Sequence, residues 1–177
     1  MGEGRYKALF AALMGSAALA AGTLGAITSV EGYRPVGYRD IGGVATNCSG
    51  NTHAVAIGKQ MTDAECAEID ARNAVTAAQD VKRATPKLQG NQLKAAVLFT
   101  VNLGGPTYAR STAVRQFNAG ELRAGCDALQ RYVNITSKKP VRGLTCRRSA
   151  RGWTCGPVKG LQNRRAYEHK ICVDGLK

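Results

Sequence analysis

Twenty-three consecutive residues near the N-terminus, Ala8 to Val30, carry no charge, and all six cysteines lie beyond them. As a helix rising about 1.5 Å per residue, such a stretch is long enough to cross a hydrocarbon core. Fifteen of the 23 are Ala, Gly, Ser or Thr, so only eight are large and apolar. At about −0.3 to −0.6 kcal/mol for each large apolar residue, residence in a bilayer is expected to be marginal. Arg5 and Lys7 precede the stretch, which keeps the N-terminus on the cytoplasmic side and sends the rest of the chain across. A cleavable signal peptide is the competing reading, since Ala18-Leu19-Ala20 offers small residues to a signal peptidase. A buried Ala-rich core helix in a cytoplasmic protein conflicts with the cysteine pattern.

The chain accordingly divides into an N-terminal segment, 1–30, and a body, 31–177, of the size at which one compact domain forms around one core. Twenty-five Lys and Arg against twelve Asp and Glu leave a net charge of +13, which speaks to anionic partners rather than to fold. Cys48, Cys66, Cys126, Cys146, Cys155 and Cys172 form an even set, as disulfides in an oxidising compartment require. No CxxC is present, and His53 and His169 stand at no zinc-ligand spacing, so a zinc site is not expected. Cys146 and Cys155 flank a basic, Gly-containing segment, RRSARGWT, that could hardly hold its shape unaided, and are expected to pair with each other.

Residues 33–55, rich in Gly, Val, Thr and Tyr and broken at Gly42-Gly43, read as a small β-hairpin region. Thr62-Asp63-Ala64-Glu65 is a capping-box signature opening a helix to about Arg83, and Pro86 closes it. Further helices are expected at about 90–102, 111–117, 120–133 and 161–173. The result is an α+β chain, mostly helical, with one small antiparallel sheet near its N-terminal side.

From Lys7 to Met61 the only carboxylates are Glu31 and Asp40. Elsewhere acids have structural uses: Asp63 and Glu65 at a helix N-terminus, Glu168 four residues from Arg164. Glycoside hydrolysis needs one carboxylic acid to protonate the leaving oxygen and a second carboxylate across the sugar. Glu31 begins where the apolar helix ends, and partial burial there raises a carboxyl pKa, as a general acid requires. Asp40 stands just before Gly42-Gly43. With a three-residue loop, Gly42-Gly43-Val44, Ile41 would pair with Ala45 and Asp40 with Thr46, bringing carboxylate and hydroxyl to one face; a two-residue loop would put them on opposite faces. The plain alternative is that Asp40 only satisfies turn amides.

EGYRPVGYRDIGGVATNCSGNT (31–52) resembles the active-site segment of the phage-type lysozymes, whose pattern is Glu, eight residues, Asp, five residues, Thr; Glu31, Asp40 and Thr46 reproduce both spacings. LFTVNLGG (98–105), STAVRQFNAGELRAGCDALQRYV (111–133) and GLQNRRAYEHKIC (160–172) agree in order, so the resemblance runs nearly from Glu31 to Cys172. It implies a lysozyme-like fold and hydrolysis of the β-1,4 bond between N-acetylmuramic acid and N-acetylglucosamine in peptidoglycan, leading to lysis of the host cell. Glu31 would be the general acid, Asp40 the residue that activates or positions the attacking water, and Thr46 the aid in placing it. The Ala/Gly-rich N-terminus is similar to that of the signal-anchor-release endolysins. That likeness implies a protein held in the host inner membrane through residues 8–30, its catalytic domain in the periplasm, and then released; nothing in the sequence demands more than a monomer. By analogy Cys48 pairs with Cys66 and Cys126 with Cys172.

Two departures stand out. Many relatives carry His where this chain has Asn51, and TCRRSARGWTC (145–155) looks like an insertion whose arginines and Trp153 could bind wall or lipid anions, or form a closed surface loop with no partner. GLQNRR reads as a structural signature, its arginines pairing inside the fold. Two other function classes compete. One is a basic tethered binding module, although the basic residues are not interleaved with aromatics as a nucleic-acid single-strand binder needs. The other is a membrane-disrupting toxin, whose lysis would survive loss of Glu31 and Asp40.

Overall fold

The structure is a computed structural model that describes residues 2–40 and 42–176, with the backbone but not the side chain of Glu31. The apolar N-terminal stretch is two helices, α1 (Glu3–Met14) and α2 (Ala17–Glu31), bent by 113° at their junction, and no single helix among the described residues is long and apolar enough to cross a membrane. One continuous spanning helix was expected; Gly15-Ser16 breaks it. Gly15 adopts a left-handed conformation (φ 83°) that ends α1, and the Ser16 hydroxyl accepts from the Leu19 amide at 3.1 Å to cap α2. α1 packs chiefly on α3 (Asp63–Ala84), and α2 reaches α4 (Gly90–Leu103). Phe10, Met14, Ala20, Ala26 and Ile27 are buried in the same core as Val81, Leu93, Val97, Phe99 and Leu129. The small residues that make the segment a weak membrane span also let two helices lie close against the body.

α3 begins as its capping box dictates: the Glu65 amide donates to Thr62 Oγ1 at 3.2 Å, and the Thr62 amide donates to Glu65 Oε2 at 2.7 Å. The hydrogen bond from the Thr62 backbone holds the Glu65 carboxyl below its ordinary pKa. α4 and α8 (Lys159–Val173) fall at their expected positions, as does α6 (Thr112–Asn118). α7 (Leu122–Leu129) stops short of residue 133, and a five-residue helix, α5 (Gly105–Ala109), was not foreseen. Phe99 meets the rings of Tyr108 and Tyr132 edge-on, with centroids 6.2 and 5.0 Å away, and the Arg165 guanidinium lies 4.8 Å from its own ring centre.

Among the described residues there are two sheets where one was expected. β1 (Arg34–Arg39) and β2 (Ala45–Cys48) form the hairpin. Past α7, β3 (Ile135–Ser137), β4 (Cys146–Ser149) and β5 (Gly152–Cys155) form a second antiparallel sheet in the order β3-β5-β4. The disulfides are Cys48–Cys66, Cys126–Cys172 and Cys146–Cys155, and no cysteine is free among the described residues. The first ties the hairpin to α3, the second ties α7 to α8, and the third joins β4 to β5 at directly opposed positions.

α6 and α7 meet where Gly125 faces Phe117: a Cβ added at Gly125 would lie 2.3 Å from two carbons of the buried ring. Gly125→Ala is therefore expected to cost about 1–3 kcal/mol through overpacking. Urea denaturation of the oxidised protein would show the loss as a lower midpoint with an unchanged slope.

Candidate active site

The site is built where α2 ends and the hairpin begins. Glu31 is the last residue of α2, and Gly32, at φ 70°, turns the chain toward β1. The Glu31 carboxyl, and with it the expected burial of that acid, lies outside the described residues. The end of its helix is clamped from α8, where buried Arg164 donates from Nη2 to the Val30 carbonyl oxygen at 3.2 Å. A cation on the last carbonyls of a helix satisfies an orphan acceptor and complements the helix dipole. Ile27, Val30 and Leu98 line a small hollow there with Arg164 and Glu168. Glu168 in turn pairs with Arg165 at 2.7 Å, one residue nearer than the expected i,i+4 partner.

The hairpin register differs from the expected one by one loop residue. Tyr38 pairs with Thr46 and Arg39 with Ala45, so Thr46 is not directly opposite Asp40, and the proposed Ile41–Ala45 pairing involves a residue outside the described ones. The physical cause is the Asp40 carboxylate. The Val44 amide donates to Asp40 Oδ1 at 2.8 Å, and the Asp40 amide donates to the Val44 carbonyl at 2.9 Å, so the loop closes between Asp40 and Val44, one residue earlier than expected. Gly43, at φ 82°, supplies the left-handed residue and donates its amide to the Asp40 carbonyl. Asp40 lies two residues beyond Tyr38, and alternation along the strand places it on the same side of the ladder as Thr46, as a diagonal neighbour. Its Oδ1 is fixed on the turn, while Oδ2 accepts no hydrogen bond among the described residues. Thr46 is buried and donates its hydroxyl to the Val44 carbonyl at 3.1 Å, a bond that leaves the lone pairs of that oxygen able to accept.

After β2 the chain is pinned back onto the helical body. The Ser49 amide donates to Asp70 Oδ1 on α3 at 3.3 Å, beside the Cys48–Cys66 bridge. Tyr33 donates its hydroxyl to Asp63, which pushes the phenol pKa up to about 12. Asn51 is buried and satisfied within its own loop: Nδ2 donates to Asn47 Oδ1 at 2.7 Å and to the His53 carbonyl at 3.1 Å, while Oδ1 accepts from the His53 amide at 3.3 Å. The amide thus rigidifies the loop without a charge. Between this loop and α3–α5 runs a groove of about 200 Å³, lined by Asn51 and His53 on one wall and Asn73, Asp80, Thr100 and Val101 on the other. Gly105 keeps the far wall close, because a Cβ there would stand 2.0 Å from Asp80 Oδ2.

Strand alternation thus puts Asp40 and Thr46 on one side of the hairpin, and Arg164 holds the end of α2 that leads into it. Sequence reasoning missed the groove residues His53, Asn73 and Asp80, whose spacing carries no signal. It did place the GLQNRR arginines inside the fold, without showing that Arg164 holds the helix end.

A sequence description of the phage lysozyme family matches residues 28–151. The SAR-endolysin of Pseudomonas phage phiKMV is 36% identical over 161 residues, 89% of this chain and 89% of that one. The SAR-endolysin of Enterobacteria phage P21 is 30% identical over 178 residues, covering 96% of this chain and 95% of its own. Among solved structures, the endolysin of Escherichia coli O157:H7 phage FAHEc1 superposes with a TM-score of 0.68 at 27% identity, over 87% of this chain and 92% of that one. The active form of P1 phage endolysin Lyz superposes with a TM-score of 0.67 at 24% identity, over 97% and 95%, a likeness of fold. With its α+β lysozyme-like architecture, the chain belongs to the phage lysozyme family and is a lysozyme-type glycoside hydrolase.

Proposed function

We propose that this chain cuts the β-1,4 bond between N-acetylmuramic acid and N-acetylglucosamine in peptidoglycan, with Glu31 as general acid and Asp40 and Thr46 governing the attacking water. The observation that supports the reading is the hairpin turn, in which the Val44 amide holds Asp40 through Oδ1 and strand alternation puts Thr46 on the same side. A water donating one hydrogen to Asp40 Oδ2 and the other to Thr46 Oγ1 has a lone pair to direct at the anomeric carbon. As its oxygen bonds to that carbon, Asp40 takes a proton, Glu31 gives its proton to the departing glycosidic oxygen, and the configuration inverts. This geometry asks for a carboxyl separation of about 6.5–9.5 Å, wide enough for the water.

The partner is the glycan strand of the wall; no nucleic acid, cofactor or second subunit enters the reaction. We assign residues 1–30 to a signal-anchor that holds the protein in the inner membrane before release to the periplasm, and 31–177 to the catalytic domain. Release controls activity, because Glu31 directly follows the anchor and can be held before Asp40 only when α2 lies on the body. The packing of α1 and α2 into the core supports this reading, as do the relatives' names.

The test is to incubate the full oxidised chain with purified peptidoglycan and identify the released ends by mass spectrometry. Reducing N-acetylmuramic acid ends are expected. Anhydro ends would make the protein a lytic transglycosylase, and release of nothing by folded, oxidised protein would leave a binding module.

A further inference from the structure

Between Asp127 and Glu168 there are forty residues without a single carboxylate side chain. Eight Lys and Arg lie between positions 131 and 159, every one of them exposed, and none enters an ion pair among the described residues. Most of the +13 net charge is thus held on and around the β3-β5-β4 sheet, on the surface and uncompensated. This sheet is not a loose loop. The Cys146–Cys155 bridge staples β4 to β5, and the Val158 amide donates to the Val133 carbonyl at 2.8 Å to close its root. Arg148 lies 5.9 Å over the Trp153 ring, a cation–π contact that holds the guanidinium on the strand. Along the sheet runs a groove of about 410 Å³ in which Arg147 and Arg148 stand among Asn134, Thr145, Ser149 and Thr154.

Fixed guanidinium groups beside hydroxyl and amide groups suit carboxylates on a polar chain. A bilayer is a poorer fit. Among the described residues the large exposed apolar side chains, from Leu9 to Tyr167, all lie off this sheet, so it has no apolar wedge to enter a headgroup layer. Its position also favours the wall. The sheet leads into α8 at Lys159, and Arg164, which clamps the end of α2, is five residues further along that helix, a rise of about 7.5 Å.

We propose that the β3-β5-β4 sheet is a second wall-binding surface, which grips the carboxylates of the peptide stems on the polymer whose glycan lies in the active site. The inference rests on the peptidoglycan reading. It gives the enzyme a hold on stem-bearing, cross-linked material that bare glycan does not provide.

Binding is measured by co-sedimentation of the full oxidised chain carrying Glu31→Gln, so that nothing is cut, with purified peptidoglycan and with the same material after enzymatic removal of its peptide stems. The parent is expected to bind intact peptidoglycan about tenfold more tightly than the stem-free glycan. The R147Q/R148Q/R151Q variant should bind intact material only as tightly as the parent binds stem-free glycan, the loss of three exposed charged contacts. A K87Q/R110Q/R115Q control, with the same change in charge, should keep the preference. Equal binding of both materials by the parent, or an equal loss in the control, overturns the proposal. So does an arginine dependence seen only on phosphatidylglycerol vesicles. If the chain with Glu31 intact cuts neither material while these binding differences stand, the hydrolase reading fails and the surface remains.

Discussion

Glu31→Gln should lower the rate at which purified peptidoglycan releases reducing ends by about a thousandfold, with little change in KM or thermal midpoint. The substitution keeps the shape of the side chain and removes the one proton that the departing glycosidic oxygen needs. Positioned general acids contribute about 10²–10⁴ in rate, and the expected loss sits at the centre of that range. A fall in kcat without a rise in KM marks a group acting in the transition state rather than in binding. The measurement is a steady-state comparison on one peptidoglycan preparation, with a melting curve for each protein. Turnover within tenfold of the parent would move the acid elsewhere.

The largest loss of stability is expected from Arg165→Met. Arg165 and Glu168 are each only 1% exposed, with 2.7 Å between Nη2 and Oε1. Arg165 also donates to Asn102 Oδ1 at 3.0 Å and stacks on Phe99, so one guanidinium joins α8 to α4 through two contacts. Removing it strips a buried carboxylate of that counter-charge, a change that costs about 3–5 kcal/mol. The double variant Arg165→Met/Glu168→Leu should regain part of the loss, since no charge is then buried at that pair. Urea midpoints of the two single variants and the double, under oxidising conditions, give the coupling directly. If Arg165→Met costs less than about 1 kcal/mol, water reaches Glu168 and the pair is not structural.

The elements that could be read from the chain are those whose signals are local and redundant. Thr62 and Glu65 mark the start of α3 and Pro86 bounds its end; the segment between Cys146 and Cys155 foretold one bridge, and the family resemblance the other two. The hairpin could be foreseen but not its register, because Gly42-Gly43 draws the eye to the wrong centre while the Asp40 carboxylate fixes the turn through Val44. β3, β4 and β5 have three or four residues each and exposed basic side chains, too short and too polar for any alternation to show. α5 is hardly more than one turn, below the length at which a helical period can be seen. The break at Gly15-Ser16 carried a real signal, a left-handed cap followed by a hydroxyl cap, which average hydropathy conceals. Arg164 was recognised as structural, but that it grips Val30 depends on α8 crossing α2, a contact between residues 134 positions apart.

The junction of α1 and α2 also sets where this shape can exist. A helix that stops leaves amide and carbonyl groups without helical partners, and here Gly15 and Ser16 satisfy only some of them. Water hydrates the remainder at little cost. Hydrocarbon cannot, and each unpaired group would cost several kcal/mol, so within a bilayer the same residues must run straight through. On the proposed anchoring, the segment would take one form in each solvent, and its bend would mark which side of the lipid boundary it occupies. Gly15→Ala with Ser16→Leu should favour the straight form and slow the passage from one solvent to the other.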